Sequence, residues 1–217
     1  MIELERHGDV AVVRMRNGEN RFNRRSVAAL HGILDELDAT EGPLAVVTTG
    51  EGKFYSNGLD LDWIAANGDA AGPMIADVHR LLGRVLGFAG YTVAAVNGHA
   101  FAGGAMLATA HDVVVMRDDR GYWCLPEVDL GLPLTQGMHA VITARLPRRT
   151  AHEAMVTGRR YPAAEMVAGG IADVAVPEDA VVATAIAMAA EYAAKDREVI
   201  ARHKRLSYGA AIDACGA

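Results

Sequence analysis

The chain has 217 residues, of which 51% are hydrophobic, 22% charged and 6% aromatic. This composition is that of an ordinary globular protein and excludes the disordered, collagenous and disulfide-rich classes. The formal net charge of -6 argues against a nucleic-acid-binding protein, because contacts with phosphate groups need an excess of basic residues.

The first half of the chain alternates strand-like and helix-like patterns. Ile2 to Glu5 and Ala11 to Met15 flank a turn at His7-Gly8-Asp9, so they predict a β-hairpin. Asn23 is a candidate N-cap for a helix whose apolar residues recur at steps of three and four, namely Val27, Leu30, Leu34 and Leu37. The elements predicted next are a strand at Leu44 to Thr49, a helix from about Ile75 to Phe88, a strand at Thr92 to Val96, a small-residue helix at Gly104 to Ala110 and a strand at Asp112 to Met116.

The second half of the chain, from Gln136 onward, is predicted to be mostly helical. Its predicted helices are Gln136 to Arg145, Thr150 to Val156, Ala163 to Ala168 and Ala180 to Ala194. Strands separated by helices predict a parallel sheet with crossover connections, so we expect an α/β fold that ends in a helical tail. No Pro/Gly/Ser-rich stretch divides the chain, which favours one domain.

The sequence predicts a cytoplasmic protein without a membrane span or a metal site. The N-terminal residues MIELERHGD are acidic, whereas a signal peptide has a basic start and an apolar core. The longest apolar run, Ala180 to Ala190, is well short of the ~20 residues that cross a bilayer. Cys124 and Cys215 have no metal or redox spacing, and none of the eight histidines belongs to a ligand cluster.

Three segments together predict a site that binds a negatively charged oxygen beside a proton carrier. Two of them, Gly50 to Ile64 and Ala94 to Asp112, place backbone N-H groups at a helix start, and two such donors that converge would form an oxyanion hole. In the third, Tyr122 to Gly137, Glu127 follows an aromatic and apolar strand, and desolvation there would raise its pKa toward neutrality. Taken singly, glycine turns are mostly ordinary turns, and such a glutamate is more often a solvated surface acid.

The three segments resemble a known family. Phe54 to Leu61, Asn97 to Asp112 and Pro126 to Pro133 are similar to the signature blocks of the crotonase superfamily, the enoyl-CoA hydratases and isomerases. The motifs SNGLDL, NGHAFAGG and PEVDLGLPL are most similar to those of the plant-type Δ3,Δ2-enoyl-CoA isomerases. The resemblance implies a crotonase-like spiral of ββα repeats over residues 1–176, a short C-terminal helical segment of the same domain at 177–217, and a homotrimer or dimer of trimers.

The resemblance also implies an acyl-CoA thioester substrate, with coenzyme A as part of the substrate and no separate cofactor. Matched by position, Leu59 and Gly103 would supply the two amides of the oxyanion hole, and Glu127 would be the catalytic acid and base. The remaining matched positions, which we expect to be near the substrate, are Asn57, Gly58 and Met106.

One departure from the family bears on the reaction. Hydratases of the family use two glutamates to orient and activate water, and the first of these positions is Met106 here while the second is Glu127. A single carboxylate still moves a proton from the alpha to the gamma carbon, so the resemblance favours an isomerase. A hydratase, another acyl-CoA enzyme of the superfamily and a catalytically silent acyl-CoA-binding protein remain alternatives. The basic residues Arg197, Arg202, Lys204 and Arg205 are expected to form a solvated helical face, with contact to CoA phosphates as the alternative.

Overall fold

The structure is a computed structural model that describes all residues from Met1 to Ala217. In chain order its strands and helices are β1 (Ile2–His7), β2 (Val10–Met15), α1 (Arg24–Asp38), β3 (Ala45–Thr49), β4 (Phe54–Ser56), α2 (Leu61–Ala66), α3 (Gly68–Leu86), β5 (Tyr91–Val96), β6 (His99–Phe101), α4 (Gly103–Thr109), β7 (Val113–Arg117), β8 (Trp123–Cys124), α5 (Gln136–Arg145), α6 (Arg148–Thr157), α7 (Ala163–Ala168), β9 (Val174–Val176), α8 (Val181–Tyr192) and α9 (Arg197–Ala214). Short 3₁₀ turns occupy Pro126–Val128 and Glu178–Ala180.

The larger sheet has six strands in the order β1-β2-β3-β5-β7-β9. The predicted hairpin is present, because β1 and β2 pair antiparallel with Ile2 opposite Met15. All later neighbours in this sheet pair parallel, as expected where helices connect successive strands. Side chains alternate along β2, so that Val10 and Val12 pack with α8 on one face while Ala11 and Val13 enter the main core on the other.

Helix α1 begins where its sequence predicts. The Asn23 side chain accepts a hydrogen bond from the Ser26 amide at 3.1 Å, and the Asn23 amide donates to the Ser26 hydroxyl at 3.0 Å. This reciprocal cap satisfies backbone donors that a helix start otherwise leaves free. The four apolar residues of the predicted stripe, Val27, Leu30, Leu34 and Leu37, are all buried.

The smaller sheet contains three short parallel strands in the order β4-β6-β8. Phe54 lies opposite His99, and Phe101 lies opposite Cys124. Strands β4 and β6 were not predicted, because three residues are too few to show an alternating pattern, whereas β8 is the aromatic and apolar strand that was expected before Glu127. Their pairing brings the chain after β4 next to the chain after β6, which are the two glycine turns of the predicted site.

Helix α3 is longer than its sequence predicts. It begins at Gly68 and contains Pro73, whereas the prediction began at Ile75. Glycine and proline are poor helix formers, so local preference alone would start the helix only after Pro73. Packing extends the helix in the folded chain, since Met74 is 2% exposed within the core.

The C-terminal helix α9 corrects the prediction of a solvated basic face. Lys204 is only 7% exposed, and its ammonium donates to the Asp112 carboxylate at 2.6 Å and to the Gly90 carbonyl oxygen at 2.9 Å. The Arg197 guanidinium donates to carbonyl oxygens, including that of Ala89 at 2.7 Å. These two side chains attach the helix to the rest of the fold because they satisfy backbone carbonyls and a carboxylate far away in sequence. Arg202 and Arg205 are exposed, as predicted. No helix in the structure has both the length and the apolar character needed to span a membrane.

Candidate active site

Two glycine turns meet at the carboxyl ends of β4 and β6. Gly58 has a φ of +75°, a conformation that side chains other than glycine rarely adopt. A Cβ atom placed on Gly58 would lie 2.8 Å from the Gly103 nitrogen and 2.8 Å from the Ala102 Cβ. Glycine is therefore required here both by the backbone angle and by the approach of the second turn.

The amides of Leu59 and Gly103 have no hydrogen-bond acceptor in the protein, and both residues line one cavity. The Phe22 amide donates to the Gly58 carbonyl at 2.7 Å and the Asp60 amide donates to the Phe22 carbonyl at 2.9 Å, so Leu59 is held on both sides while its own N-H makes no protein hydrogen bond. Gly103 is the first residue of α4 and its N-H is likewise unused. The structure thus brings the two predicted donors together.

The glycine pair at the start of α4 allows the helix to pack closely on β4. A Cβ atom on Gly104 would lie 2.3 Å from the Ser56 carbonyl oxygen, a distance that no side chain tolerates. Ala102, just before the pair, has a φ of +50° in the left-handed region. The close approach and the unusual backbone angle together determine where Gly103 presents its amide.

Both amides and Glu127 line a single cavity of about 470 Å³. Asn57 lines the same cavity, so four of the six predicted site residues meet there. Most of the remaining wall is apolar, and its members include Leu61, Ile64, Ile75, Leu130, Leu132 and Met138. The cavity therefore combines an apolar surface with a few polar groups at one place, which is typical of a small-molecule site.

Glu127 carries its carboxylate on the short 3₁₀ turn that follows β8. Its Oε2 atom is buried and has no hydrogen-bond partner in the protein. Burial raises the pKa of Glu127, because the charged form loses hydration that no neighbour replaces. A carboxylate with a raised pKa and a free oxygen in a cavity is suited to accept a proton and return it.

The other three predicted positions have different environments. The Asn57 side chain donates to a Glu19 carboxylate oxygen at 2.9 Å, which holds it at the edge of the cavity. Gly58 shapes the turn through its backbone angle. Met106 is fully buried in the hydrophobic core and is not among the side chains that line the cavity.

Arg21 lines the cavity and was missed at the level of sequence. It is the only basic side chain on the cavity wall. Its guanidinium donates to Glu19 at 2.7 Å and to Asp62 at 2.9 Å, which joins the loop before α1 to the helix α2. The only signal in the sequence was a cluster of charged and amide residues between a predicted strand and a predicted helix, a pattern that is typical of any surface loop.

Comparison with known proteins assigns this fold and cavity to a family. An α/β core with two free amides and a half-buried glutamate around one cavity is the arrangement that the resemblance predicted. The family model described as enoyl-CoA hydratase/isomerase matches residues 5–211, and the chain belongs to this family. No group of three His, Cys, Asp or Glu side chains is placed so that it can hold a metal ion.

Relatives in plants and solved structures agree with this assignment. The chain is 35% identical over 205 residues to enoyl-CoA delta isomerase 3 of Arabidopsis thaliana, an alignment that covers 90% of this chain and 86% of that protein. The human mitochondrial delta3-delta2-enoyl-CoA isomerase superimposes with a TM-score of 0.90 at 25% identity, over 98% of this chain and 84% of that one. A probable enoyl-CoA hydratase of Mycobacterium tuberculosis gives a TM-score of 0.92 at 25% identity, over 99% and 91% of the two chains. The predicted crotonase-like α/β fold and the resemblance to plant-type isomerases are confirmed.

Proposed function

We propose that this protein is a Δ3,Δ2-enoyl-CoA isomerase that converts 3-enoyl-CoA into 2-enoyl-CoA through an enolate. The observation that carries the proposal is the unpartnered, buried oxygen of Glu127 in the same cavity as the free amides of Leu59 and Gly103. The similarity to plant delta isomerases and to the human delta3-delta2-enoyl-CoA isomerase supports it.

The reaction moves one proton and one double bond within the acyl chain. Glu127 takes a proton from C2, next to the thioester carbonyl, and the electron pair of that bond delocalises onto the thioester oxygen. The same carboxyl group returns the proton to C4, the double bond settles between C2 and C3, and the glutamate is again ionised. No atom is gained or lost, so a single acid and base is sufficient.

The two amides stabilise the charge that develops on the thioester oxygen. Donors fixed in advance and pointed at a developing oxyanion are each worth roughly 10²- to 10³-fold in turnover when one is removed. The raised pKa of Glu127 favours the proton transfer itself, because a general base works best when its pKa is close to the working pH.

The cavity wall matches the acyl part of an acyl-CoA. The apolar residues, such as Ile75 and Leu132, suit a hydrocarbon chain. Coenzyme A arrives with the substrate, so the proposed reaction uses no separate cofactor. A homotrimer or dimer of trimers remains our prediction for the assembly.

The carboxylates of the cavity favour isomerisation over hydration. The wall holds two acidic side chains, Glu127 and Asp62, and Asp62 is ion-paired with Arg21 at 2.9 Å with most of its side chain in solvent. The position of the second hydratase glutamate is Met106, in the core. Hydration needs a second group to orient water, and the chain supplies none at the matched position.

The test compares Glu127→Gln with the wild type on 3-enoyl-CoA substrates. Formation of conjugated 2-enoyl-CoA is followed by absorbance and mass spectrometry. We expect turnover to fall by roughly 10²- to 10⁴-fold, as is typical when a general base is lost, while substrate binding is largely retained. Glu41→Gln, at an exposed position away from the cavity, is the matched control and should keep wild-type turnover. Near wild-type turnover of Glu127→Gln would rule out its proposed role.

A second measurement separates the isomerase from a hydratase. Wild-type protein is given 2-enoyl-CoA, and 3-hydroxyacyl-CoA is sought by mass spectrometry. We expect hydration to be negligible beside isomerisation. Hydration at a rate equal to isomerisation would contradict the single-base mechanism.

A further inference from the structure

The loop between β2 and α1 holds the turn that presents the Leu59 amide. We name Ser56–Asp60 the oxyanion turn. Its Asn57 amide donates to the Glu19 carbonyl oxygen at 2.9 Å, and its Gly58 carbonyl accepts from the Phe22 amide at 2.7 Å. The loop thus runs alongside the oxyanion turn and contacts it by backbone hydrogen bonds.

Asn20 lies at the centre of this loop and uses every polar atom of its side chain. Its Nδ2 group donates to the carbonyl oxygens of Phe54 at 3.2 Å and of Tyr55 at 3.1 Å. Its Oδ1 atom accepts from the Asn17 amide at 2.8 Å. The residue is 4% exposed, so these bonds are protected from water.

Ser56 connects Asn20 to the oxyanion turn. The Ser56 hydroxyl donates to the Asn20 carbonyl oxygen at 2.7 Å and accepts from the Gly58 amide at 3.2 Å. Ser56 is fully buried. The chain of hydrogen bonds that reaches the residue before Leu59 therefore begins at the Asn20 backbone carbonyl, and the Asn20 side chain fixes the position of that carbonyl through its own bonds to β4.

The backbone of Asn20 is in an uncommon conformation. Its φ is +51°, and Ala102 is the only other residue besides glycines with a positive φ. Strained backbone of this kind persists where surrounding contacts determine it, and such positions concentrate at functional sites. Asparagine tolerates the left-handed region better than most residues, and it also supplies the two donors and the acceptor that this position uses.

We propose that Asn20 is a positioning residue for the oxyanion hole, acting through Ser56 and Gly58 on the direction of the Leu59 N-H. Asn20 is not on the cavity wall, so it does not touch the substrate. The value of the role for turnover rests on the proposed function, in which the Leu59 amide stabilises the enolate. An amide used mainly in the transition state affects kcat far more than KM, because ground-state binding does not depend on it.

Two substitutions at Asn20 test the positioning role. Asn20→Asp keeps the acceptor for the Asn17 amide but replaces the donor group with an oxygen that faces two carbonyls. Asn20→Gly accommodates the positive φ but removes the side chain. We expect each to lower kcat by roughly 10- to 100-fold, less than the full loss of a donor, with KM changed by less than about threefold.

Ser56→Ala provides an independent variant that breaks the chain without adding bulk. We expect kcat to fall in the same range. The double variant Asn20→Gly with Ser56→Ala should lose little more than the more affected single variant, because residues in one hydrogen-bond network are not additive. Full additivity of the two effects would overturn the relay through Ser56.

The control is Thr150→Val, which removes a buried hydroxyl that donates to the Gly169 carbonyl oxygen at 2.8 Å away from the cavity. It should lower the melting temperature, as loss of a buried hydrogen bond does, while kcat stays at the wild-type value. An equal loss of kcat in this control would show that general destabilisation explains the Asn20 variants, and would overturn the proposal.

Amide hydrogen exchange gives a readout that does not need turnover. Exchange of the peptide containing residues 56–60 should be faster in both Asn20 variants and in Ser56→Ala, and unchanged in Thr150→Val. Unchanged exchange in the Asn20 variants, or a rise in KM without a fall in kcat, would overturn the proposal. Wild-type protein without isomerase turnover would instead defeat the proposed function, and the exchange result would still decide whether Asn20 holds the turn.

Discussion

The stability of this protein should depend on pH through His111, a buried histidine that follows α4 and is 1% exposed. Its Nδ1 atom lies 2.8 Å from the Leu107 carbonyl oxygen, so Nδ1 carries the ring proton of the neutral form. Its Nε2 atom then accepts from the Thr48 hydroxyl at 2.9 Å, and the Tyr55 hydroxyl donates to Thr48 at 2.6 Å. The network thus uses both nitrogens of a neutral imidazole.

Burial lowers the pKa of His111 from 6.5 to about 4, because the charged ring would lose its hydration. As the pH falls below 6.5, the unfolded chain takes up this proton while the folded chain does not. The contribution of neutral His111 to the free energy of unfolding is therefore complete above pH 6.5 and is lost progressively down to about pH 4. At 1.36 kcal/mol for each pKa unit, the loss amounts to about 3 kcal/mol, a large part of the 5–15 kcal/mol typical of a folded domain.

The assay is urea unfolding of the wild type and of His111→Gln at pH 7 and pH 4. Carboxylates also titrate in this range, so the informative quantity is the difference between the two proteins. We expect the wild type to lose about 3 kcal/mol more than the variant between the two pH values. His203→Gln, at an exposed position, should keep the wild-type pH dependence. Equal losses in the wild type and in His111→Gln would refute the reasoning.

Three further predictions concern the helix α9 contact, the glycine turn and the base. Lys204→Met leaves the Asp112 carboxylate without its cation, so the free energy of unfolding measured in urea titrations should fall by about 3 kcal/mol or more. A change within experimental error would show that the ion pair is not needed for stability. Gly58→Ala places a methyl group 2.8 Å from the Gly103 nitrogen at a φ of +75°, so turnover should fall by at least about 10²-fold; an active variant would contradict the geometry of the turns. Because Glu127 must be ionised to accept a proton and burial raises its pKa, kcat/KM should decline as the pH falls through a midpoint above that of an exposed glutamate, and a midpoint at or below that value would argue against a desolvated base.

The sequence by itself was sufficient for elements whose signals are local. The cap at Asn23 and the apolar spacing after it predicted α1, because both features act within a few residues of the helix start. The signature blocks likewise predicted that Leu59, Gly103 and Glu127 belong to one site, and the cavity brings them together. Short motifs carry this information because glycine is needed wherever backbones approach closely.

Tertiary structure alone decided the features that depend on residues distant in sequence. Strands β4 and β6 exist only as neighbours in a sheet, since segments of three residues have no periodicity of their own. Lys204 is indistinguishable in sequence from a solvated lysine, and it is buried because the fold places Asp112 and the Gly90 carbonyl beside it. Asn20 resembles an ordinary loop residue until β4 supplies the carbonyls that its side chain binds. In each case the stabilising contacts are made with partners that come together only when the chain folds, so the local sequence pattern does not predict them.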